Sequence, residues 1–292
     1  MWPRRPSGSR CERAGCTGSC SVGAGVRAAQ AVDGAVSQGR AALVGYLPVG
    51  YPDLDRSTEA FVALAHNGCD VLEIGVPYSD PVMDGPVIAA AADQALRQGT
   101  RLEDTFTLAA AVHAASPDTA LLVMTYWNPV ARTGVEAFAT RLLEAGVSGL
   151  ITPDLIPDEA SEWMAVSDAL GLERVFLVAP SSSDERLRTT AHASTGFTYA
   201  ASTMGVTGER STVGSGAADL VARTRAAGAD RVCVGLGVST PEQATDIAAF
   251  ADGVIVGSAL VRALSGADGG PGGPGALGEL SARLADGVRA TR

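Results

Sequence analysis

Short apolar segments alternate along this chain with longer segments in which apolar residues recur every three or four positions. The short segments are almost continuously apolar, which is typical of strands that are buried on both faces of a parallel sheet. They predict eight strands, at Ala42–Tyr46, Asp70–Gly75, Ala120–Thr125, Gly149–Thr152, Arg174–Val178, Phe197–Tyr199, Arg231–Gly235 and Gly253–Val256.

The longer segments have the spacing of amphipathic helices. They predict helices at Ser57–Asn67, Leu102–Ala115, Gly134–Ala145, Asp158–Leu170, Asp184–Ala193, Gly216–Ala226 and Pro241–Ala249. Strands that alternate with helices pair in parallel, and eight such repeats favour closure of the sheet. The pattern therefore predicts the α/β class and a single (β/α)8 TIM barrel with an extra N-terminal segment.

Both ends of the chain depart from this alternation. Residues 1–26 are rich in Arg, Gly, Ser and Cys, and we expect a disordered leader before a barrel domain of residues 27–292. A Gly/Pro-rich linker at 266–275 is expected before a last helix from about Leu277 to Arg289. The leader holds three cysteines whose spacing matches no usual zinc pattern, so no metal site is expected there; they are Cys11, Cys16 and Cys20.

Composition excludes several function classes. The net charge of −10, without a basic cluster in the body of the chain, argues against nucleic-acid binding. No apolar run is long enough to span a membrane, and the first 26 residues lack the apolar segment of a secretory signal, so a cytoplasmic location is expected. All basic residues are arginines, and the absence of lysine rules out a Schiff base on a lysine side chain.

One strand carries a carboxylate in an otherwise apolar sequence. Glu73 lies in the middle of VLEIG, and no arginine between Arg56 and Arg97 is available nearby in sequence to pair with it. A buried charge is costly unless it is paired or used, so we expect a functional role. Asp84 in the following loop is a second candidate, although Asp-Gly is also a common turn dipeptide, and Asp80 could equally cap a turn.

Further polar residues follow other strands, at the end where the active site of a (β/α)8 barrel lies. Tyr126 and Asn128 come after the third strand, Asp154 after the fourth, and Tyr199 ends the sixth. Three glycine-rich segments also follow late strands, and two of them precede predicted helices, whose N-termini favour anions. They start at Met204, Gly235 and Val256, and they indicate a phosphate site unless they are simply tight turns.

Four segments resemble those of the tryptophan synthase alpha subunit family: LPVGYPD, LEIGVPYSDPVMDGP, GVTGER and VGSALV, with a likeness that runs from about Ala41 to Leu264. The resemblance implies cleavage of indole-3-glycerol phosphate to indole and glyceraldehyde 3-phosphate. It implies that Glu73 and Asp84 are catalytic and that Asp80 and Pro81 face a partner. The other residues that it implies are substrate-binding are Tyr199, Thr207, Gly208, Gly237, Gly257 and Ser258.

The resemblance also implies a beta subunit as partner, in a complex of two alpha with two beta chains. No cofactor is expected in this chain, and pyridoxal phosphate is expected in the partner. Relatives often carry a basic and a small residue where the mobile loop of this chain has Thr203 and Met204. This departure concerns loop closure and leaves Glu73 and Asp84 untouched.

Two other classes of barrel enzyme fit these residues poorly. Indole-3-glycerol phosphate synthase uses lysines, which this chain lacks. Barrel epimerases bind metal through histidines, whereas His66, His113 and His192 fall in predicted helices away from strand ends. Two further alternatives stay open: a binding partner that activates a beta subunit with little turnover of its own, and an indole-releasing lyase that acts alone.

Overall fold

Nine parallel strands form one sheet in the computed structural model, which describes residues 27–201, 215–235, 237–266 and 272–289. The strands of this described part are β1 (Ala42–Pro48), β2 (Val71–Gly75), β3 (Ala120–Met124), β4 (Gly149–Ile151), β5 (Glu173–Val175), β6 (Leu177–Val178), β7 (Thr198–Ala201), β8 (Val232–Gly235) and β9 (Gly253–Val256). Their order in the sheet is β5-β4-β3-β2-β1-β9-β8-β7-β6.

The two outer strands of that order are neighbours in the chain, because only Phe176 separates β5 from β6. β5 pairs with β4 and β6 pairs with β7, so the sheet closes through this segment. The Phe176 carbonyl accepts from the Tyr199 amide at 3.0 Å, while its own amide points to the Ser194 hydroxyl at 3.4 Å. The (β/α)8 barrel is confirmed. The predicted fifth strand, Arg174–Val178, is interrupted at Phe176, because the amide of this residue donates to a side chain instead of a neighbouring strand.

Helices surround the barrel and are numbered along the chain. They are α1 (Ala28–Ser37), α2 (Leu54–His66), α3 (Pro86–Arg97), α4 (Leu102–Ala115), α5 (Trp127–Thr133), α6 (Val135–Glu144), α7 (Ser161–Leu170), α8 (Asp184–Ala193), α9 (Ser215–Ala226), α10 (Pro241–Ala248), α11 (Ser258–Ser265) and α12 (Gly273–Arg289). No helix in the described ranges is long and apolar enough to cross a membrane.

Several helix boundaries differ from the sequence analysis for local reasons. α2 begins three residues before the predicted Ser57, because the Asp53 side chain accepts from the Arg56 amide at 2.9 Å and caps the helix. The segment predicted as one helix from Asp158 has a short 3-10 turn first, and α7 starts at Ser161. α12 starts at Gly273, so the end of the expected linker 266–275 is helical.

Helix α1, which the sequence analysis did not name, closes the amino end of the barrel. Its buried residues Ala28, Val32 and Ala35 pack against the apolar interior at the amino ends of the strands. Glu173, which is fully buried at the start of β5, accepts from the Ala28 and Ala29 amides at 2.7 and 3.0 Å. A carboxylate at a helix N-terminus is favourable, since it satisfies free amides and the helix dipole.

Replacing Glu173 with glutamine should therefore destabilise the fold. An amide side chain keeps the shape but loses the negative charge that faces the α1 amides and the Arg27 guanidinium, 3.5 Å away. We expect a loss of about 1.5–3 kcal/mol in the free energy of unfolding, the usual size for a hydrogen bond to a charged group. Urea denaturation would measure it, and an unchanged midpoint would contradict the capping role.

Candidate active site

A cavity opens at the carboxyl ends of the strands, opposite the end that α1 closes. Its walls come from at least six strands and the loops that follow them. The lining residues are Tyr46, Glu73, Met83, Asp84, Ile88, Met124, Pro153, Leu177, Tyr199, Ala201, Gly235, Gly237, Ile255, Gly257 and Ser258. Six residues that were predicted for the site from sequence therefore meet in one cavity, although they are far apart in the chain.

Glu73 reaches this cavity from the middle of β2. Its side chain is only 1% exposed, and neither carboxylate oxygen has a hydrogen-bond partner among the described residues. Burial without a partner disfavours the charged form and raises the pKa of Glu73 to about 8. Within the described residues no arginine pairs with Glu73, so a purely structural ion pair does not explain it. With this pKa, the carboxyl group is mostly protonated at neutral pH.

Asp84 lines the same cavity, two residues before α3 begins at Pro86. Burial raises the pKa of this carboxyl to about 6. Asp84 is therefore mostly ionised at neutral pH while Glu73 is mostly protonated. Two carboxyl groups whose pKa values are driven apart by their surroundings can serve as an acid and as a charge stabiliser in the same reaction.

Two tyrosines, the buried Tyr46 and the half-buried Tyr199, line the cavity beside the two carboxyl groups. The pKa of Tyr199 is raised by burial and by the nearby charge of Glu73, and that of Tyr46 by burial and by the charges of Asp84 and Glu73. Both phenols are therefore protonated and available as donors. A Cβ on Gly75 would lie 2.5 Å from the Tyr46 hydroxyl oxygen, so a glycine there makes room for this ring.

Tyr46 was not predicted as a site residue from the sequence. Its position follows from the register of two strands, since Tyr46 on β1 pairs with Glu73 on β2. A tyrosine near the carboxyl end of the first predicted strand is a signal that could have identified it, because inward side chains at strand ends line the site of a barrel.

Another part of the cavity lining, the glycine end, is built from glycines and helix starts. It adjoins the Tyr46 ring, which a Cβ on Gly257 would approach to 3.2 Å. Gly237 follows β8 with a φ of 62°, a left-handed conformation that suits glycine. Gly257 precedes α11, and Ser258 is the first residue of that helix. Small residues and a helix N-terminus leave backbone amides accessible to an anion. Thr207, Gly208, Thr203, Met204 and the leader cysteines lie outside the described residues.

Asp80 and Pro81 lie outside the cavity, in the loop between β2 and α3. Asp80 is exposed and accepts from the Ser79 hydroxyl at 2.6 Å. Three exposed large apolar residues occur in the described part of the chain: Leu54 (40%), Val82 (75%) and Ile156 (36%). They follow β1, β2 and β4, so all lie at the end of the barrel that holds the cavity.

The remaining sequence candidates hold the loops together rather than line the cavity. The Tyr126 hydroxyl accepts from the Met83 amide at 2.9 Å, and Asn128 Nδ2 donates to the Tyr78 hydroxyl at 3.2 Å. Asp154 accepts from the Trp127 amide at 2.8 and 3.1 Å.

The histidines, as expected, are in helices, namely His66 in α2, His113 in α4 and His192 in α8. No group of three or more His, Cys, Asp or Glu residues suited to a metal ion occurs within the described ranges.

Comparison with known proteins shows the family to which this chain belongs. The family described as "Tryptophan synthase alpha chain" matches residues 33–271. The tryptophan synthase alpha chain of Mycobacterium marinum is 55% identical over 88% of this chain and 93% of its own length. That of Mycobacterium avium is 58% identical over 86% of this chain and 90% of its own. A structure of Mycobacterium tuberculosis tryptophan synthase superposes with a TM-score of 0.85 at 53% identity, covering 91% of this chain and 99% of that one.

Proposed function

This chain belongs to the tryptophan synthase alpha chain family and cleaves indole-3-glycerol phosphate to indole and glyceraldehyde 3-phosphate, and we propose that Glu73 and Asp84 are its catalytic residues. One observation carries this assignment. A buried carboxyl group without a partner among the described residues shares a cavity with a second carboxyl group and with a glycine-rich end. The reaction is a carbon–carbon lyase step in tryptophan biosynthesis.

Glu73 supplies the proton that the reaction needs. The retro-aldol cleavage requires a proton on C3 of the indole ring and the loss of a proton from the side-chain hydroxyl group. With a pKa of about 8, Glu73 is protonated at neutral pH and can deliver its proton to the ring carbon. The carboxylate that results can take the hydroxyl proton, so that a single group acts as acid and then as base. The electrons of the broken bond return to the indole ring.

Asp84 stabilises the positive charge that forms on the ring. Protonation at C3 makes the ring cationic, and a carboxylate that accepts a hydrogen bond from the indole N–H opposes that charge. A pKa of about 6 leaves Asp84 ionised when Glu73 is protonated. The Tyr199 phenol lies beside both groups and contacts the substrate at the reacting end.

The glycine end of the cavity binds the substrate phosphate. Gly237, Gly257 and Ser258 support this part of the proposal, because backbone amides and the α11 N-terminus can hold an anion without a lysine. Thr207 and Gly208 are proposed to contribute on the strength of the sequence resemblance alone.

The chain works with a beta subunit, and we propose a complex of two alpha and two beta chains with Asp80 and Pro81 in the interface. Val82, which is 75% exposed and directly follows Pro81, supports docking at this loop, and exposed Leu54 and Ile156 lie at the same end of the barrel. Pyridoxal phosphate is proposed to belong to the partner, because this chain has no lysine to bind it covalently. The cytoplasmic location expected from the sequence stays a prediction.

Indole release from indole-3-glycerol phosphate by the purified chain, with and without a beta subunit, tests the function. We expect a bell-shaped dependence of kcat/KM on pH. The rate should fall below about pH 6 as Asp84 gains a proton, and above about pH 8 as Glu73 loses one.

Each alternative has its own result in this assay. A chain that only activates its partner would release no indole in either arm. A lyase that acts alone would reach its full rate without the partner. A flat pH profile between 5 and 9 would contradict the proposed roles of the two carboxyl groups.

A further inference from the structure

The loop that carries Asp84 is held in place by a residue outside the cavity lining. The Tyr126 hydroxyl accepts a hydrogen bond of 2.9 Å from the Met83 amide. Its ring lies 5.0 Å from the ring of Tyr78, between centroids, and Tyr126 is only 7% exposed. The loop between β2 and α3 is therefore attached to the segment that follows β3, at the residue directly before Asp84.

The hydrogen bond between Met83 and Tyr126 lies between the cavity and the face proposed for the partner. Met83 and Asp84 line the cavity, whereas Val82 is 75% exposed on the face proposed for the partner. On the other side of Asp84, Gly85 is the N-cap of α3, and its carbonyl accepts from the Ala89 amide at 2.9 Å, so the helix holds the backbone there. On the N-terminal side the Tyr126 hydroxyl restrains the loop through the backbone of Met83 and of the neighbouring Val82.

Tyr126 is itself anchored. The next residue, Trp127, donates its amide to both carboxylate oxygens of Asp154, at 2.8 and 3.1 Å. Asp154 follows Pro153, which lines the cavity after β4. Segments after three consecutive strands therefore form one hydrogen-bonded unit, and this unit gives the Tyr126 hydroxyl a fixed position from which to hold Met83.

We propose that Tyr126 is a positioning residue for Asp84: its hydroxyl holds the Met83 amide so that the Asp84 carboxylate faces the indole N–H in the cavity. The inference rests on the proposed function of Asp84. It extends that function to a residue that is not part of the cavity lining.

Tyr126→Phe tests the inference because it removes only the hydroxyl acceptor. We expect kcat for indole release in the complex with a beta subunit to fall about tenfold, the factor that one lost hydrogen bond of typical strength produces. KM should stay within about twofold, because the glycine end that binds the phosphate is untouched. Far-ultraviolet circular dichroism and a thermal midpoint would verify that the variant folds.

Tyr78→Phe is the matched control. It keeps the ring that packs on Tyr126 and removes a hydroxyl that meets Asn128 Nδ2 at 3.2 Å. We expect its kcat to stay within about twofold of wild type, in line with the small net effect of one partly exposed hydrogen bond. Equal losses in both variants would mean that general loosening of the loop matters, and they would overturn the inference.

A double-mutant cycle separates positioning from a general structural role. If Tyr126 acts through Asp84, Tyr126→Phe should cost less than twofold in kcat when Asp84 is already asparagine. The same tenfold loss in both backgrounds would overturn the inference. An inactive wild-type complex would instead refute the proposed function, so the two failures are distinguishable.

Discussion

Replacing Glu73 with glutamine is expected to lower kcat for indole release by about 10² or more, the usual contribution of a general acid. Glutamine has nearly the same shape but cannot transfer a proton to carbon, so substrate binding at the glycine end should persist. KM should therefore change little. Steady-state indole release by the complex with a beta subunit measures both constants. A variant that keeps its rate would show that another group supplies the proton.

The same substitution should stabilise the folded chain at high pH. The pKa of Glu73 rises from 4.5 to about 8 on burial, so the folded state binds the proton more tightly than the unfolded state. The stability of wild type must then fall as pH rises from about 4.5 to 8, because Glu73 ionises in the unfolded state first and in the folded state only near pH 8. Glutamine carries no such penalty. Urea midpoints at pH 5 and pH 9 should show that the stability of the variant, relative to that of wild type, is greater at pH 9 than at pH 5.

Glu173→Gln provides the matched control for both measurements. Glu173 is also a fully buried glutamate on a strand, but it lies at the amino end of the barrel, where it caps α1. We expect it to lose stability while kcat for the folded fraction stays close to wild type. A similar loss of kcat in both variants would indicate that any buried charge in the barrel matters, which contradicts a specific role for Glu73.

Asp84→Asn is expected to lower kcat by about 10², because asparagine can still accept a hydrogen bond but supplies no negative charge to the cationic ring. The variant should also change the shape of the pH profile. The fall below about pH 6 reflects protonation of Asp84, whose pKa burial raises to about 6, and an asparagine cannot titrate. We therefore expect the acidic limb to disappear while the limb near pH 8 from Glu73 remains.

Asp93→Asn is a suitable control for this experiment. Asp93 is exposed on α3, close in sequence to Asp84, and its carboxylate pairs with Arg97 at 2.8 Å on the surface. Surface pairs of this kind contribute little, so rate and pH profile should match wild type. An acidic limb that persists in Asp84→Asn would assign it to a different group.

The amino-acid sequence by itself determined the architecture and the main catalytic candidates. Continuous apolar segments that alternate with amphipathic ones require buried parallel strands, and eight of them predict the barrel. Glu73 is recognisable because a carboxylate in an apolar strand is costly and no nearby arginine can pair with it. These features are local in the chain, and for that reason they can be identified from the sequence.

Only the tertiary structure decided the features that depend on contacts between distant segments. Strand register places Tyr46 beside Glu73, and a hydrogen bond across 43 residues joins Tyr126 to Met83. The opposite protonation states of Glu73 and Asp84 at neutral pH arise from how deeply each carboxyl group is buried. Burial and register are properties of the closed barrel, in which each side chain receives its surroundings from strands and loops far away in sequence.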